Sequence, residues 1–153
     1  MLNLALEHLA AAFDVARVSP VYESAPVGYR QQPDFLNLAL EARTTLSPRA
    51  VLERIKAIER ALGRPAVDPV RFGPRRIDID LLLYDDLVLD ETDHPSGLDL
   101  HIPHPRLSGR AFVLIPLADI APNVVHPVLG RTIADLAAEA IAANPGAVWR
   151  HTS

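Results

Sequence analysis

The run Arg76-Ile77-Asp78-Ile79-Asp80-Leu81-Leu82-Leu83-Tyr84 constrains this chain more than any other stretch. Its alternation predicts a strand over residues 76–84, and alternate residues of a strand share a face. Asp78 and Asp80 then point one way, while Ile77, Ile79 and Leu81 point into a core. Two carboxylates on one face of an apolar strand repel each other and are costly to desolvate. Two resolutions are open. A cation sits between them, and Mg2+ is the natural choice because it takes one or two carboxylates together with phosphate oxygens. Alternatively the face is solvated and the aspartates pair with Arg75 or Arg76.

The elements around this strand alternate in type. Leu2, Leu6, Leu9 and Phe13 have helical spacing, which predicts an amphipathic helix over residues 2–13. Residues 15–23 and 35–43 read as strands, the first with Pro20 as a mark of an edge or a bulge. Between them lies a loop with Pro26, Gly28 and Pro33. Ser47-Pro48 opens a helix, with serine as N-cap and proline in the first turn. Its apolar stripe is Val51, Leu52, Ile55, Ile58 and Leu62, and Gly63 closes it as a left-handed cap. Residues 64–74 form a loop, 87–89 a short partner strand and 90–109 an ordered loop. Helices are expected over 110–120, despite Pro116, and over 132–143, where Thr132 and Asp135 are spaced as a capping box. Helix, strand, strand, helix, strand is the order of a β-α-β-β-α-β sandwich that lacks its first strand.

Composition narrows the function classes. With 153 residues, 49% of them apolar, the chain can bury one full core. It has no cysteine, which excludes disulfides and thiol chemistry. Acidic residues outnumber basic ones, 19 to 15, for a net charge of −4, so a general positive field for nucleic acid is absent. No apolar run reaches the ~18 residues of a membrane span. Met1-Leu2-Asn3-Leu4 lacks the charged region and cleavage site of a secretory signal. The cytoplasm is the expected location.

Three further groups of residues bear on chemistry. Arg64, Arg71, Arg75 and Arg76 flank the aspartates, and Arg110 opens a later helix. Arginines converging on a metal-binding carboxylate pair suit phosphoryl transfer, which is mostly positioning and charge stabilisation. Any one of them alone reads as an ordinary surface residue. Lys56 is the only lysine, so of the 15 basic residues 14 are arginines, a bias that a GC-rich genome also produces. No Gly-rich phosphate loop occurs. Tyr22, Phe35, Phe72 and Phe112, with Asn37, are either a core set with one satisfied amide or the walls of a site for a planar heterocycle. His94, His101, His104 and His126 lack the spacing of a zinc site. A phosphate contact suits His104 better.

These residues carry a specific resemblance. Phe72-Gly73-Pro74-Arg75-Arg76-Ile77-Asp78-Ile79-Asp80-Leu81-Leu82 closely resembles the signature of the hydroxymethyldihydropterin pyrophosphokinases of folate biosynthesis. The segments 19–28, 33–37, 102–106 and 110–117 resemble further motifs of that family in the same order, so the likeness runs from about Val15 to Ala137. It implies a ferredoxin-like α+β fold, an antiparallel sheet with helices packed on it. It implies transfer of pyrophosphate from ATP to the pterin hydroxymethyl group with release of AMP. Asp78 and Asp80 resemble the ligands of two Mg2+ ions, and Arg75 and Arg110 the catalytic arginines. Ser24, Ala25, Pro26, Val27, Phe35, Asn37 and Phe112 correspond to the pterin site. Glu59, Arg64, Arg71, Phe72, Arg75, His104 and Arg110 correspond to the ATP side. The implied partners are these two small molecules, with no nucleic acid, no membrane and a monomeric chain.

Two departures from that family shape the expectations. The chain begins inside the helix that follows the family's first strand and its Gly-Ser-Asn-Leu turn. The expectation is one domain over residues 1–153 without that strand, from a start codon assigned too late or from a defective product. A form carrying the strand would then be more stable and more soluble. The loop 64–74 carries Pro65, Ala66, Val67 and Pro69 where relatives often have another arginine, which bears on nucleotide affinity. A non-catalytic pterin- or nucleotide-binding module is the alternative, and AMP production separates the two. A zinc hydrolase built on the histidines is a third reading.

Overall fold

A computed structural model describes residues 2–25, 35–63 and 77–152. Among the described residues, four helices and seven short strands make a mixed α+β fold in which every strand pair is antiparallel. Helix α1 (Leu2–Ala12) buries Ala5 and Leu9, and Phe13 follows them into the core. Helix α2 (Pro48–Ala61) begins where expected: the Ser47 hydroxyl accepts the Ala50 N–H at 3.2 Å, and Pro48 occupies the first turn. Gly63 has φ +93°, the left-handed conformation that favours glycine after a helix. Helix α3 (Ala111–Ile120) carries the fully buried Pro116, and α4 (Ile133–Ala143) starts with the Thr132 hydroxyl accepting the Asp135 N–H at 3.1 Å.

The strands are shorter than the sequence suggests. The expected strand over 15–23 is two, β1 (Asp14–Val18) and β2 (Tyr22–Ser24), and that over 35–43 is also two, β3 (Phe35–Asn37) and β4 (Leu40–Arg43). Both divide at the same corner. Ser19 N–H donates to the Ala39 carbonyl at 2.8 Å, and the Ala39 N–H returns to the Ser19 hydroxyl at 2.9 Å. Pro20 has no N–H to continue the ladder. The serine side chain takes the place of a backbone acceptor, and the paired strands turn from one sheet into another. β1 pairs with β4, and β2 lies between β3 and a C-terminal strand, β7 (Val148–Arg150), that the sequence reading did not anticipate. β5 (Leu89–Glu91) pairs with β6 (Leu100–Ile102), so residues 90–109 are not all loop.

The segment expected as a strand over 76–84 departs most. Among the described residues, 77–84 join no ladder and carry no regular secondary structure. A strand is defined by a paired neighbour, and none of the described strands supplies one; the backbone bonds go elsewhere. The alternation survives: Asp78 and Asp80 are exposed, Ile77 and Ile79 half-buried. The segment also borders all three apolar clusters, with none of its side chains fully buried. Ile79 and Leu81 pack on the cluster of Leu9, Phe13, Val51, Ile55 and Ile58; Leu81 and Tyr84 also meet Leu52, Leu100 and Ile102. Leu82 and Leu83 pack on the third cluster, which includes Leu107, Leu114, Ile133 and Leu136. No described helix is long and apolar enough to cross a membrane.

Candidate functional site

The interior packing of Ile79, Leu81 and Leu82 leaves Asp78 and Asp80 at the surface on one side of their segment. Two backbone attachments to other described residues help to hold that segment. The carboxylate of Glu59, on α2, accepts the Ile79 N–H through Oε2 at 2.7 Å. The Leu82 carbonyl accepts the His104 N–H at 2.9 Å. The second attachment brings the stretch after β6 alongside the aspartates.

His104 marks the centre of a charged group. Its Nδ1 accepts the Arg106 N–H at 3.2 Å, which in the neutral ring leaves the proton on Nε2. Burial lowers its pKa below 6.5; Asp80 opposes this, while Arg110, Arg106 and His101 push it further down. Asp80 and Arg110 are therefore both within electrostatic reach of one imidazole. His101 is itself oriented by Asp90, Nδ1 to Oδ1 at 2.8 Å. Arg106 and His101 belong to the group although neither stands out in the sequence as a site residue. Their signal is proximity to His104 in the string Leu100-His101-Ile102-Pro103-His104-Pro105-Arg106.

A second group is built on β2 and β3. Ser24 is buried and opposite Phe35; Tyr22 is opposite Asn37. Phe35 is 41% exposed, far more open than a core residue, while Asn37 is half-buried. Ala25 is exposed beside Ser24. The Tyr22 hydroxyl donates to Asp119 of α3, and burial first, then this bond, raise its pKa. The bond ties the C-terminal end of α3 to β2, and α3 packs on both β2 and β3. Phe112, near the other end of α3, is half-buried, with the Arg110 guanidinium carbon 5.4 Å from its ring centre. Arg110 thus links Phe112 to the charged group around His104.

Of the expected site residues, Asp78, Asp80, Glu59, His104 and Arg110 fall on the first side, Ser24, Ala25, Phe35 and Asn37 on the second, and Phe112 stands beside Arg110. Glu59 is only 2% exposed and faces the aspartate segment. Pro26, Val27, Arg64, Arg71, Phe72 and Arg75 lie outside the described residues. The donor set suits Mg2+: two exposed carboxylates supply hard oxygen ligands. Among the described residues no group of three His, Asp or Glu side chains could enclose an ion.

The family profile described as 7,8-dihydro-6-hydroxymethylpterin-pyrophosphokinase matches residues 1–122. A 2-amino-4-hydroxy-6-hydroxymethyldihydropteridine pyrophosphokinase of Aquifex aeolicus is 38% identical over 135 residues, 88% of this chain and 79% of that protein. The protein of the same name from Bacillus subtilis is 46% identical over 121 residues, 79% of this chain and 68% of that protein. The folic acid synthesis protein FOL1 of Dictyostelium discoideum is 47% identical over 118 residues, 77% of this chain but only 17% of that protein.

Proposed function

The chain belongs to the 7,8-dihydro-6-hydroxymethylpterin-pyrophosphokinase family, and from that premise we propose that it is a transferase of folate biosynthesis. It moves pyrophosphate from ATP to the hydroxymethyl group of 6-hydroxymethyl-7,8-dihydropterin and releases AMP. The observation that carries this reading is the position of Arg110, which acts electrostatically on His104 beside Asp80 and places its guanidinium carbon 5.4 Å from the Phe112 ring centre. A cation suited to polyphosphate there adjoins a ring suited to a planar heterocycle.

The residues divide the work. Asp78 and Asp80 hold two Mg2+ ions, which when bound neutralise the ATP phosphates. Arg110, Arg75 and His104 contact the phosphates and stabilise charge as it moves to the leaving AMP. Arg64, Arg71 and Phe72 complete the nucleotide side, which Glu59 also serves. The pterin stacks between Phe112 and the Phe35–Asn37 segment. Asn37 hydrogen-bonds its edge, with the residues Ser24, Ala25, Pro26 and Val27 helping to bind it. The alcohol needs alignment with the β-phosphorus more than a strong base. Residues 1–153 act as one domain, monomeric and cytoplasmic.

The test is direct. Purified protein with ATP, Mg2+ and 6-hydroxymethyl-7,8-dihydropterin yields AMP and the pterin diphosphate in equal amounts, read by chromatography. Formation of ADP, or binding of both ligands with no AMP, rejects the proposal; the second outcome describes a binding module.

A further inference from the structure

Glu59 occupies an unusual place. It belongs to the apolar stripe of α2, four residues after Ile55 and seven after Leu52, and it is 2% exposed. A carboxylate is costly to bury unless its oxygens are satisfied. Here one oxygen accepts the Ile79 N–H at 2.7 Å and the other lies 3.2 Å from the Lys56 ammonium group. Ile79 is the residue between Asp78 and Asp80. The bond therefore grips the backbone at the midpoint of the two aspartates, in a segment that joins no ladder among the described residues.

We propose that Glu59 is a positioning residue, whose carboxylate grips the Ile79 amide and so sets the spacing and direction of Asp78 and Asp80 for Mg2+ and the ATP phosphates. The inference rests on the pyrophosphokinase reading. The physical reasoning is short. Metal sites with only two protein carboxylates depend on those carboxylates being held in place, because each misplaced ligand removes a large share of the protein's coordination. A ladder would hold a strand through many backbone bonds. Here a charge-assisted bond from a rigid helix, shorter and stronger than a neutral one, acts at the one amide common to both ligands. Glu59 thus acts on the nucleotide from behind the aspartates rather than by touching it.

The experiment measures Mn2+ binding in the presence of a non-hydrolysable ATP analogue, by electron paramagnetic resonance, with thermal unfolding of each variant alongside. Wild-type protein binds Mn2+ with the analogue; if it does not, the pyrophosphokinase reading fails and the inference goes with it. Given that binding, Glu59→Ala weakens Mn2+ affinity more than tenfold and lowers kcat more than tenfold, while pterin affinity changes less than twofold. Glu59→Gln keeps an oxygen for the Ile79 N–H and stays within about threefold of wild type in Mn2+ affinity. Glu59→Asp, one methylene short, behaves like the alanine variant and carries the test if that variant does not fold. A lowered unfolding temperature with wild-type Mn2+ affinity in the folded Ala or Asp protein overturns the proposal, because a purely structural role predicts that pattern. Glu59→Gln as impaired as Glu59→Asp overturns it as well.

Discussion

Arg110 holds its guanidinium carbon 5.4 Å from the centre of the Phe112 ring. Arg110 is the N-cap residue of α3 and Phe112 its second residue, so one short turn carries both a cation and a ring face. Such a contact is worth about 0.5–1 kcal/mol when exposed.

Asp78→Ala and Asp80→Ala are expected to lower AMP formation by a hundredfold or more, in line with the several kcal/mol that a metal ion supplies to charge stabilisation. Both aspartates are exposed, so the variants should unfold within about 0.5 kcal/mol of the parent. Rapid-quench assays with urea titrations check both halves. A double variant with wild-type turnover would refute the metal role.

Asn37→Ala and Phe112→Ala should weaken pterin binding more than ATP binding. A ring is held by stacking and edge hydrogen bonds, and each unpaired buried polar group costs about 1–3 kcal/mol. A polyphosphate is held mainly by charge. Calorimetric titration with each ligand separately distinguishes them, and equal losses for both would show that the pocket is misplaced.

His126 sets a pH dependence. It is 5% exposed, and its Nδ1 accepts the N–H groups of Val128 at 3.2 Å and Leu129 at 3.1 Å. Burial lowers its pKa below 6.5. The unfolded chain therefore takes up the proton more readily than the folded one. The stabilising contribution is complete above pH 6.5 and is lost as pH falls from there through the folded-state value. His126→Ala should cost about 1–2 kcal/mol at pH 8 and flatten the decline of the unfolding midpoint below pH 6.5. An unchanged slope would mean that another group governs the decline, and His104, shifted in the same direction, is the first to test.

Leu114→Ala should cost about 2–5 kcal/mol, because a side chain with no exposed surface leaves a cavity among Leu107, Ile133 and Leu136. Leu4→Ala, at a position 51% exposed, should cost less than about 0.5 kcal/mol. Denaturant midpoints of the two variants measure the contrast.

The parts of this fold that are legible in the sequence are those with local causes. Ser47-Pro48 and Thr132 announce the starts of α2 and α4 because a cap acts within three residues. The alternation around Asp78 and Asp80 is likewise local, and it correctly separates exposed carboxylates from half-buried isoleucines. What the sequence does not disclose depends on distant partners. Pro20 warns of an interruption, but the matching break at Ala39 exists because Ser19 bonds to it across 20 residues. Residues 77–84 have every strand preference and join no ladder among the described residues, since pairing belongs to the neighbour as much as to the segment. β7 is three residues long and is held by Tyr22–Ser24, more than a hundred positions away. For Glu59 a signal was available: a carboxylate in register with Leu52 and Ile55 is conspicuous once the helix face is drawn. Its partner Ile79 is not readable from that face.

The contact of residues 79–83 with all three apolar clusters has a consequence for the placing of the aspartates. Between them these side chains border every cluster, so their positions, and those of the aspartates beside them, depend on how the three clusters meet. Inheritance faces the same coupling: drift in the aliphatic residues of this stretch repacks the interior and re-aims the carboxylates in a single step.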